Sequence, residues 1–321
     1  MFRVKIVGAG QLGSRHLQAL KAVKYPLDIQ VIDPSEASLQ VAKERYDAVE
    51  SGVGHAISFA TRLRDSDCTD VAIIATSSDV RRQAIDHLFD LSKPRFLILE
   101  KLLFNTRQDY AYAESRFAEA GTMVWVNCPM RVMPCYEHIR QELTSDRMSY
   151  RVTGSQFGLV TNAIHYLDHV VHLSGCGDFE LSLGEIDSTP IKSKRPSFLE
   201  LNGRLRANFA NGTTCEMTCY PTGTAPILVE IFTENQRYVV RESEGKLWHA
   251  EASTNWVWNE RVATIPYQSQ LTTEIVESLL ASGGCGLTPY ASSVRTHLSL
   301  LDPLRELIRA QSCEVSEYPF T

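Results

Sequence analysis

The sequence predicts an α/β protein: an N-terminal Rossmann-type, doubly wound parallel sheet followed by a C-terminal α+β domain built on a mainly antiparallel open sheet. Three observations carry the prediction. A β-branched run at residues 4–7 ends in Gly8-Ala9-Gly10-Gln11-Leu12-Gly13 and leads directly into a helical pattern with Leu17 and Leu20. Four further apolar runs, at residues 29–32, 71–75, 96–99 and 123–126, alternate with helical patterns, and continuous runs of this kind suit parallel strands buried on both faces. Beyond residue 130 the texture changes to a helical stretch and then to alternating runs joined by short polar turns, as in an antiparallel meander. The reading places the domain boundary after Asn127, giving 1–127 and 128–321.

In the glycine turn each position has its own reason. Gly8 allows the tight turn, Gly10 lets a pyrophosphate approach the backbone where a Cβ would collide, and Gly13 allows the helix to lie close to the strand. The N–H groups at the helix start, on Gln11 and Leu12, then face the phosphates, and the helix dipole adds to the attraction. Asp33 lies 20 residues past Gly13 and closes the second apolar run. An acidic side chain there accepts both ribose hydroxyls of an adenosine and repels a 2′-phosphate, so the expected cofactor is NAD rather than NADP.

Pro34 and Ser35 stop that run and cap a helix heading for Tyr46, with Glu36 in its first turn. Residues 47–69 show no clear pattern. The run 71–75 ends in Ala75-Thr76-Ser77-Ser78-Asp79, and small residues at the carboxyl end of such a strand, Ala75, Thr76 and Ser77, lie where a dinucleotide passes. Val80, Ala84, Leu88 and Leu91 mark one face of the next helix, and Tyr110, Ala113 and Phe117, closed by Gly121, mark another. In the second domain a helix is expected over about 162–173, strands at 228–233, 237–241 and 247–251, and a last helix with Val294, Leu298, Leu301, Leu304 and Ile308 on one face. Pro303 is expected to kink that helix, which would pack back toward the first domain.

Composition narrows the function classes. A chain of 321 residues suits two domains, and 44% hydrophobic with 22% charged residues is ordinary for a soluble protein. With a net charge of −6 and no basic stripe, nucleic acid is not an expected partner. No apolar run approaches the roughly 18 residues of a membrane span, and no signal peptide precedes the first strand, so the expected location is the cytoplasm. The eight cysteines, at 68, 128, 135, 176, 215, 219, 285 and 313, form no C-x-x-C pair and read as reduced thiols; Cys215 and Cys219 share one face of a strand. Asn211-Gly212-Thr213 matches a glycosylation acceptor but reads as a hairpin turn.

Two constellations carry chemistry. Glu100-Lys101-Leu102 places a charged pair at the carboxyl end of a wholly apolar strand, where an open α/β sheet binds ligands. A partly desolvated lysine there has a lowered pKa and exchanges protons near neutrality; Glu100 and Lys101 are counted with the cofactor-binding residues. Residues 161–172 place His165, His169 and His172 at i, i+4 and i+7 on one helical face. No H-E-x-x-H motif or carboxylate set accompanies them, so the expectation is one acid-base histidine and no metal, with a metal-assisted enzyme as a rival.

Gly8, Gly10, Gly13 and His16 as G-x-G-x-x-G-x-x-H, a buried strand ending in Glu100-Lys101, a strand followed by residues 127–131, and a helix with His165-x-x-Asp168 together resemble the glucose-fructose oxidoreductase, inositol dehydrogenase and rhizopine-catabolism (Gfo/Idh/MocA) family. The resemblance spans nearly the whole chain, in the same order. It implies an NAD-dependent oxidoreductase that moves a hydride between the nicotinamide and a ring hydroxyl or carbonyl carbon of a sugar, cyclitol or nucleotide-linked sugar. It also implies catalytic roles at the reacting oxygen for Lys101 and His165; Asn162, Thr161 and Arg131 are expected to bind substrate. Two departures stand out: Leu102 replaces the proline that follows the lysine in the family, and Thr161 stands where many members carry an aspartate. They leave room for an alternative, a catalytically impaired dinucleotide-binding regulator or scaffold. An open antiparallel sheet in the second domain is an expected self-association face, giving a homo-oligomer.

Overall fold

In the computed structural model, which describes residues 1–50, 53–63, 68–187, 189–195, 197–311 and 317–321, the first strands and helices alternate with one exception, the third strand being followed by the fourth with no helix among the described residues between them. They are β1 (Phe2–Val7), α1 (Gln11–Leu20), β2 (Leu27–Ile32), α2 (Glu36–Asp47), β3 (Ala56–Ala60), β4 (Thr69–Ile74), α3 (Arg81–Leu91), β5 (Pro94–Leu99), α4 (Arg107–Ala120) and β6 (Met123–Val126). β1 to β6 are mutually parallel, and Val4, Ile6, Val71, Ile73, Phe96 and Leu97 have no solvent exposure, as strands covered on both faces require. The Ser35 hydroxyl accepts the Ser38 N–H at 3.2 Å and the Thr106 hydroxyl accepts the Asp109 N–H at 3.3 Å, capping α2 and α4. Gly121 closes α4 with φ +66.

Two compact units divide the chain: residues 1–127 with 266–291, and residues 128–265 with 292–321. The single boundary drawn from sequence does not anticipate that residues 266–291 group with the first unit. They supply the helix Gln268–Ser282 (α7 in chain order), packed on α1 through Leu271, Ile275, Val276 and Leu279, and the short strand Thr288–Pro289 (β17), antiparallel to β6. Strand order in this seven-stranded sheet is β17-β6-β5-β4-β1-β2-β3. The chain runs outward from β1 in one direction and from β4 in the other, so their carboxyl ends form the switch point at which open α/β sheets bind ligands. Gly8 follows β1 there, and Ala75 follows β4 with its N–H on the Val7 carbonyl at 2.8 Å.

Two local expectations are corrected. Residues 47–69, which showed no pattern, contain β3, an edge strand whose partly exposed residues replace the continuous apolar run of a central strand. On α3 the buried face is Arg81, Ile85, Leu88 and Phe89, while Val80 and Leu91 are exposed. The buried face is rotated about one residue from the expected one because it includes an arginine, which a hydrophobic pattern assigns to solvent.

The second unit holds α5 (Pro134–Glu142), β7 (Ser149–Ser155), α6 (Leu159–Ser174), β8 (Phe179–Ile186), the small hairpin β9 (Ile191–Lys192) and β10 (Leu199–Glu200), then β11 (Gly203–Phe209), β12 (Thr214–Tyr220), β13 (Leu228–Phe232), β14 (Gln236–Arg241), β15 (Lys246–Glu251) and β16 (Asn259–Val262). Eight of these strands form one sheet in the order β16-β15-β14-β13-β7-β12-β11-β8, antiparallel except for β7 with β12. One face is the core: Leu205, Ala207, Cys215, Met217, Cys219, Val229, Ile231, Tyr238 and Val240 are fully buried. α6 packs on β12 and buries Val160, Ala163, Ile164, Leu167 and Val170. The other face is charged, with Arg206 paired to Glu216 at 2.5 Å and Arg204 to Glu185 at 2.8 Å. Asn211-Gly212 forms the β11–β12 hairpin turn, where Gly212 has φ +83.

The last helix, α8 (Tyr290–Gln311), contains Pro303 and buries Leu300, Leu301, Leu304 and Ile308; Val294 and Leu298 are half-buried. Seven cysteines are free thiols, and Cys313 lies outside the described residues. Among the described residues, no helix is long and apolar enough to cross a membrane.

Candidate functional site

The glycine turn separates positions the protein's own packing requires from one it does not. Gly8 has φ +95, and a Cβ on it would lie 3.0 Å from the Thr76 nitrogen. On Gly13 a Cβ would fall 1.8 Å from the Gly8 carbonyl oxygen, so α1 can reach β1 this closely only without a side chain. On Gly10 a Cβ would meet no atom of the described residues within 4 Å beyond its chain neighbours. The space above Gly10 is open, as a pyrophosphate resting on the backbone would need. Gly10 is also the N-cap of α1, no side chain caps that helix, and no acidic residue lies in its first turn. The exposed helix start keeps its positive end for an anion.

Around that turn a carboxylate and a guanidinium are fixed by hydrogen bonds. Asp33 Oδ2 accepts the Ala9 N–H at 2.7 Å and Oδ1 accepts the Ser35 N–H at 2.8 Å, leaving each oxygen a lone pair for a ribose hydroxyl. Arg45, which sequence reasoning missed, reaches from α2 and donates to Ser14 Oγ at 2.5 Å and Gln11 Oε1 at 2.8 Å. These residues fit a dinucleotide: Gln11 and Leu12 would hold the pyrophosphate, and Asp33 the adenosine ribose.

At the end of β5, Glu100 turns inward and Lys101 follows, half-buried. Glu100 belongs to a closed ring of side chains. His16 Nε2 lies 2.8 Å from Glu100 Oε1, which also accepts from Asn127 Nδ2 at 2.6 Å. Asn127 Nδ2 donates in addition to Gln268 Oε1 at 2.9 Å, Gln268 Nε2 donates to Thr272 Oγ1 at 2.9 Å, and Thr272 Oγ1 lies 2.8 Å from His16 Nδ1. The ionised carboxylate can only accept, so the His16 Nε2 carries the proton of the bond to Glu100. Burial by itself would raise the Glu100 pKa; the hydrogen bond and charge of His16, the Asn127 amide and the Lys101 charge outweigh it and bring the carboxyl down from 4.5 to about 2.

The consequence for stability has a definite sign. A carboxyl whose folded pKa lies below its unfolded one contributes stability above the ordinary carboxylate range, and loses it as pH falls from about 4.5 toward 2. Glu100→Gln should therefore flatten the acid limb of the urea-unfolding midpoint over that interval. An acid limb as steep in the variant as in the parent would remove Glu100 as its source.

The Lys101–Leu102 peptide is cis. Past Lys101 the chain is held by Arg81, a fully buried side chain at the start of α3. Its Nη1 donates to the Leu102 carbonyl and, at 2.7 Å, to the Leu103 carbonyl, and its Nη2 donates to the Thr76 carbonyl. Nothing in the hydrophobic periodicity marked this residue.

In the second unit α6 carries the other expected residues. Gly158, at φ +78, precedes the helix. The Glu200 carboxylate accepts the N–H groups of Val160 at 2.6 Å, Thr161 at 3.1 Å and Leu201 at 2.9 Å, a negative charge on the helix start that sequence reasoning also missed. Asn162 Nδ2 donates to the Phe157 and Gly158 carbonyls, and the Thr161 hydroxyl donates to the Thr321 main-chain oxygen at 3.2 Å. Arg131 grips Asp168 through both carboxylate oxygens, at 2.8 and 3.0 Å. His165 is half-buried one turn after Thr161.

The three histidines part company. His169 is fully buried, with Nδ1 2.9 Å from the Tyr150 hydroxyl, and burial, with the nearby His172 and Arg131 charges, pushes its pKa well below the usual value. Burial and the Arg131 and Arg140 charges bring His172 down from 6.5 to about 4. Among the described residues, no group of three or more His, Cys, Asp or Glu side chains is placed to hold a metal ion.

No protein-family model and no curated protein matches the sequence. Solved structures do. An oxidoreductase from Agrobacterium radiobacter in complex with NAD+, L-tartaric acid and magnesium matches with a TM-score of 0.71 at 16% identity, over 93% of this chain and 94% of that one. The UDP-N-acetylglucosamine 3-dehydrogenase GnnA from Acidithiobacillus ferrooxidans matches with a TM-score of 0.71 at 14% identity, over 97% and 98%. A super-repressor mutant of Gal80p from Saccharomyces cerevisiae matches with a TM-score of 0.72 at 12% identity, over 96% of both chains. At such identities the likeness shows the fold, a two-domain fold shared by oxidoreductases and by the super-repressor mutant of Gal80p.

Proposed function

We propose that this chain is a Gfo/Idh/MocA-type, NAD-dependent oxidoreductase acting on a ring CH–OH carbon, or the corresponding carbonyl, of a sugar, cyclitol or nucleotide-linked sugar. The observation that carries the reading is the end of β5: a half-buried lysine at the carboxyl edge of the parallel sheet, between a glutamate locked into a buried ring and two carbonyls locked by a buried arginine. A bound nicotinamide would supply the hydride acceptor. Lys101 shares the proton of the reacting hydroxyl or stabilises its oxyanion, and His165 takes or gives that proton, roles that the family resemblance implies. Acid-base help of this kind contributes roughly 10²–10⁴ in rate. Asp33 binds the ribose, and the N–H groups of Gln11 and Leu12 bind the pyrophosphate.

The test is NADH formation across a panel of aldoses, cyclitols and sugar nucleotides that includes UDP-N-acetylglucosamine. Formation with none of them would count against the dehydrogenase. The preference for NAD rests on Asp33 and is tested by Asp33→Asn, which keeps the shape, removes the charge and leaves one oxygen where two accept the Ala9 and Ser35 N–H groups. A charge-assisted hydrogen bond is worth about 1.5–3 kcal/mol, so NAD binding should weaken by roughly 10- to 100-fold. Binding of NADP should improve relative to NAD, and an unchanged ratio of the two affinities would refute the assignment.

One observation favours a second reading, a dinucleotide-binding regulator without turnover. The hydroxyl of Thr161 and the amide of Asn162 both donate to main-chain oxygens of their own unit. That reading expects NAD binding and no NADH with any panel member.

A further inference from the structure

We propose that Arg81 is a positioning residue for Lys101, its guanidinium continuing the tie between the chains that leave β4 and β5 beyond the point where their backbone ladder ends. The proposal rests on the reading of Lys101 as the proton-handling group. The ladder between the two strands runs to Ile74 and Leu99, and its last bond is Glu100 N–H to the Ile74 carbonyl at 3.1 Å. After that the two chains have no shared strand register, yet these are the stretches that carry Thr76 and Lys101.

Arg81 bridges them. One nitrogen reaches back to Thr76, and the other holds Leu102 and Leu103, both fully buried. A guanidinium suits the task because its donors lie in one rigid plane and diverge, so a single side chain can satisfy carbonyls on two separate segments; an ammonium is a point charge on a flexible stem. Lys101 is thereby bracketed. Before it, Glu100 is fixed by the ladder, His16 and Asn127; after it, Leu102 is fixed by Arg81. With the peptides on both sides held, the direction in which the lysine leaves the backbone is set, and the loop at Thr76 is set by the same group.

The test uses the full chain with Arg81→Lys, Arg81→Ala, Lys101→Met and the double variant R81K/K101M. Lysines are reductively methylated with ¹³C-formaldehyde, and the Lys101 resonance is identified by its absence in K101M. In R81K the Lys101 resonance should shift and its titration midpoint should move while the other lysines stay in place. Turnover on whichever panel substrate the parent accepts should fall by about 10²-fold, as for a misplaced catalytic group. Millimolar guanidinium ion should restore part of it in R81A, and R81K should add no loss in the K101M background. A Lys101 resonance that R81K leaves unmoved overturns the proposal, as do losses that multiply in the double variant. An R81K chain that does not fold assigns Arg81 to the core alone and overturns it too. Retained turnover in K101M fails the lysine's catalytic role instead, a result independent of the resonance.

Discussion

Lys101→Met should leave NAD binding essentially unchanged and lower NADH formation by roughly 10²–10⁴-fold, the usual contribution of a positioned acid or base. Methionine keeps the length and the apolar stem of the side chain and removes only the ammonium, so the half-buried position stays filled. Lys101 and Glu100 are counted with the cofactor-binding residues, but the other elements that would hold the cofactor lie elsewhere: the Gly8–Gly13 turn, Asp33 with its two backbone N–H donors, and Thr76, held by Arg81. A loss that appears in turnover and not in affinity therefore isolates the proton-handling group. The measurement pairs NADH absorbance under saturating substrate with a fluorescence titration of cofactor binding. A variant that turns over at the parent rate would end the catalytic role of the lysine. Weakened cofactor binding with turnover per bound enzyme unchanged would show the ammonium to be a cofactor contact.

The parts legible in the sequence were those in which one residue type answers one local demand. A glycine at positive φ, an apolar run in a strand covered on both faces and a serine or threonine cap can each be read without knowing what lies across the fold, and β1, β4, β5, α2 and α4 were read that way. β3 was missed because an edge strand with partly exposed residues gives no such run. The helix α7 carries Leu271, Ile275 and Leu279 four residues apart, a visible period, but its return to the first unit is a tertiary fact that no local pattern encodes. The polar site residues were the least legible. His16, Glu100, Asn127, Gln268 and Thr272 are far apart in sequence and meaningful only as a ring. Arg81 carried no signal in the sequence because hydrophobic scales cannot anticipate a buried guanidinium whose hydrogen bonds go to main-chain carbonyls. On α6, sequence reading found the helix but could not know that Arg131 is bonded to Asp168 or that Glu200 supplies a carboxylate to the N–H of Thr161.

Gly10→Ala and Gly13→Ala, chemically the same change three residues apart, should fail in opposite ways. At Gly13 the new methyl falls 1.8 Å from the Gly8 carbonyl oxygen, a backbone atom that no rotamer change can move aside. Either α1 lifts from β1 or the turn opens, and overpacking without a side chain to yield costs about 3 kcal/mol or more. G13A should lower the melting temperature and lose cofactor binding with it. At Gly10 the methyl enters space that no described protein atom occupies within 4 Å, so the fold has nothing to lose. G10A should melt as the parent does and yet bind NAD far more weakly, because the methyl occupies the approach to the N–H groups of α1. Calorimetry and a cofactor titration on the two variants separate the outcomes. A G10A chain with parental stability and parental NAD affinity would mean that the open space above Gly10 is not where a pyrophosphate rests, and the dinucleotide reading would fall before any question of substrate arises.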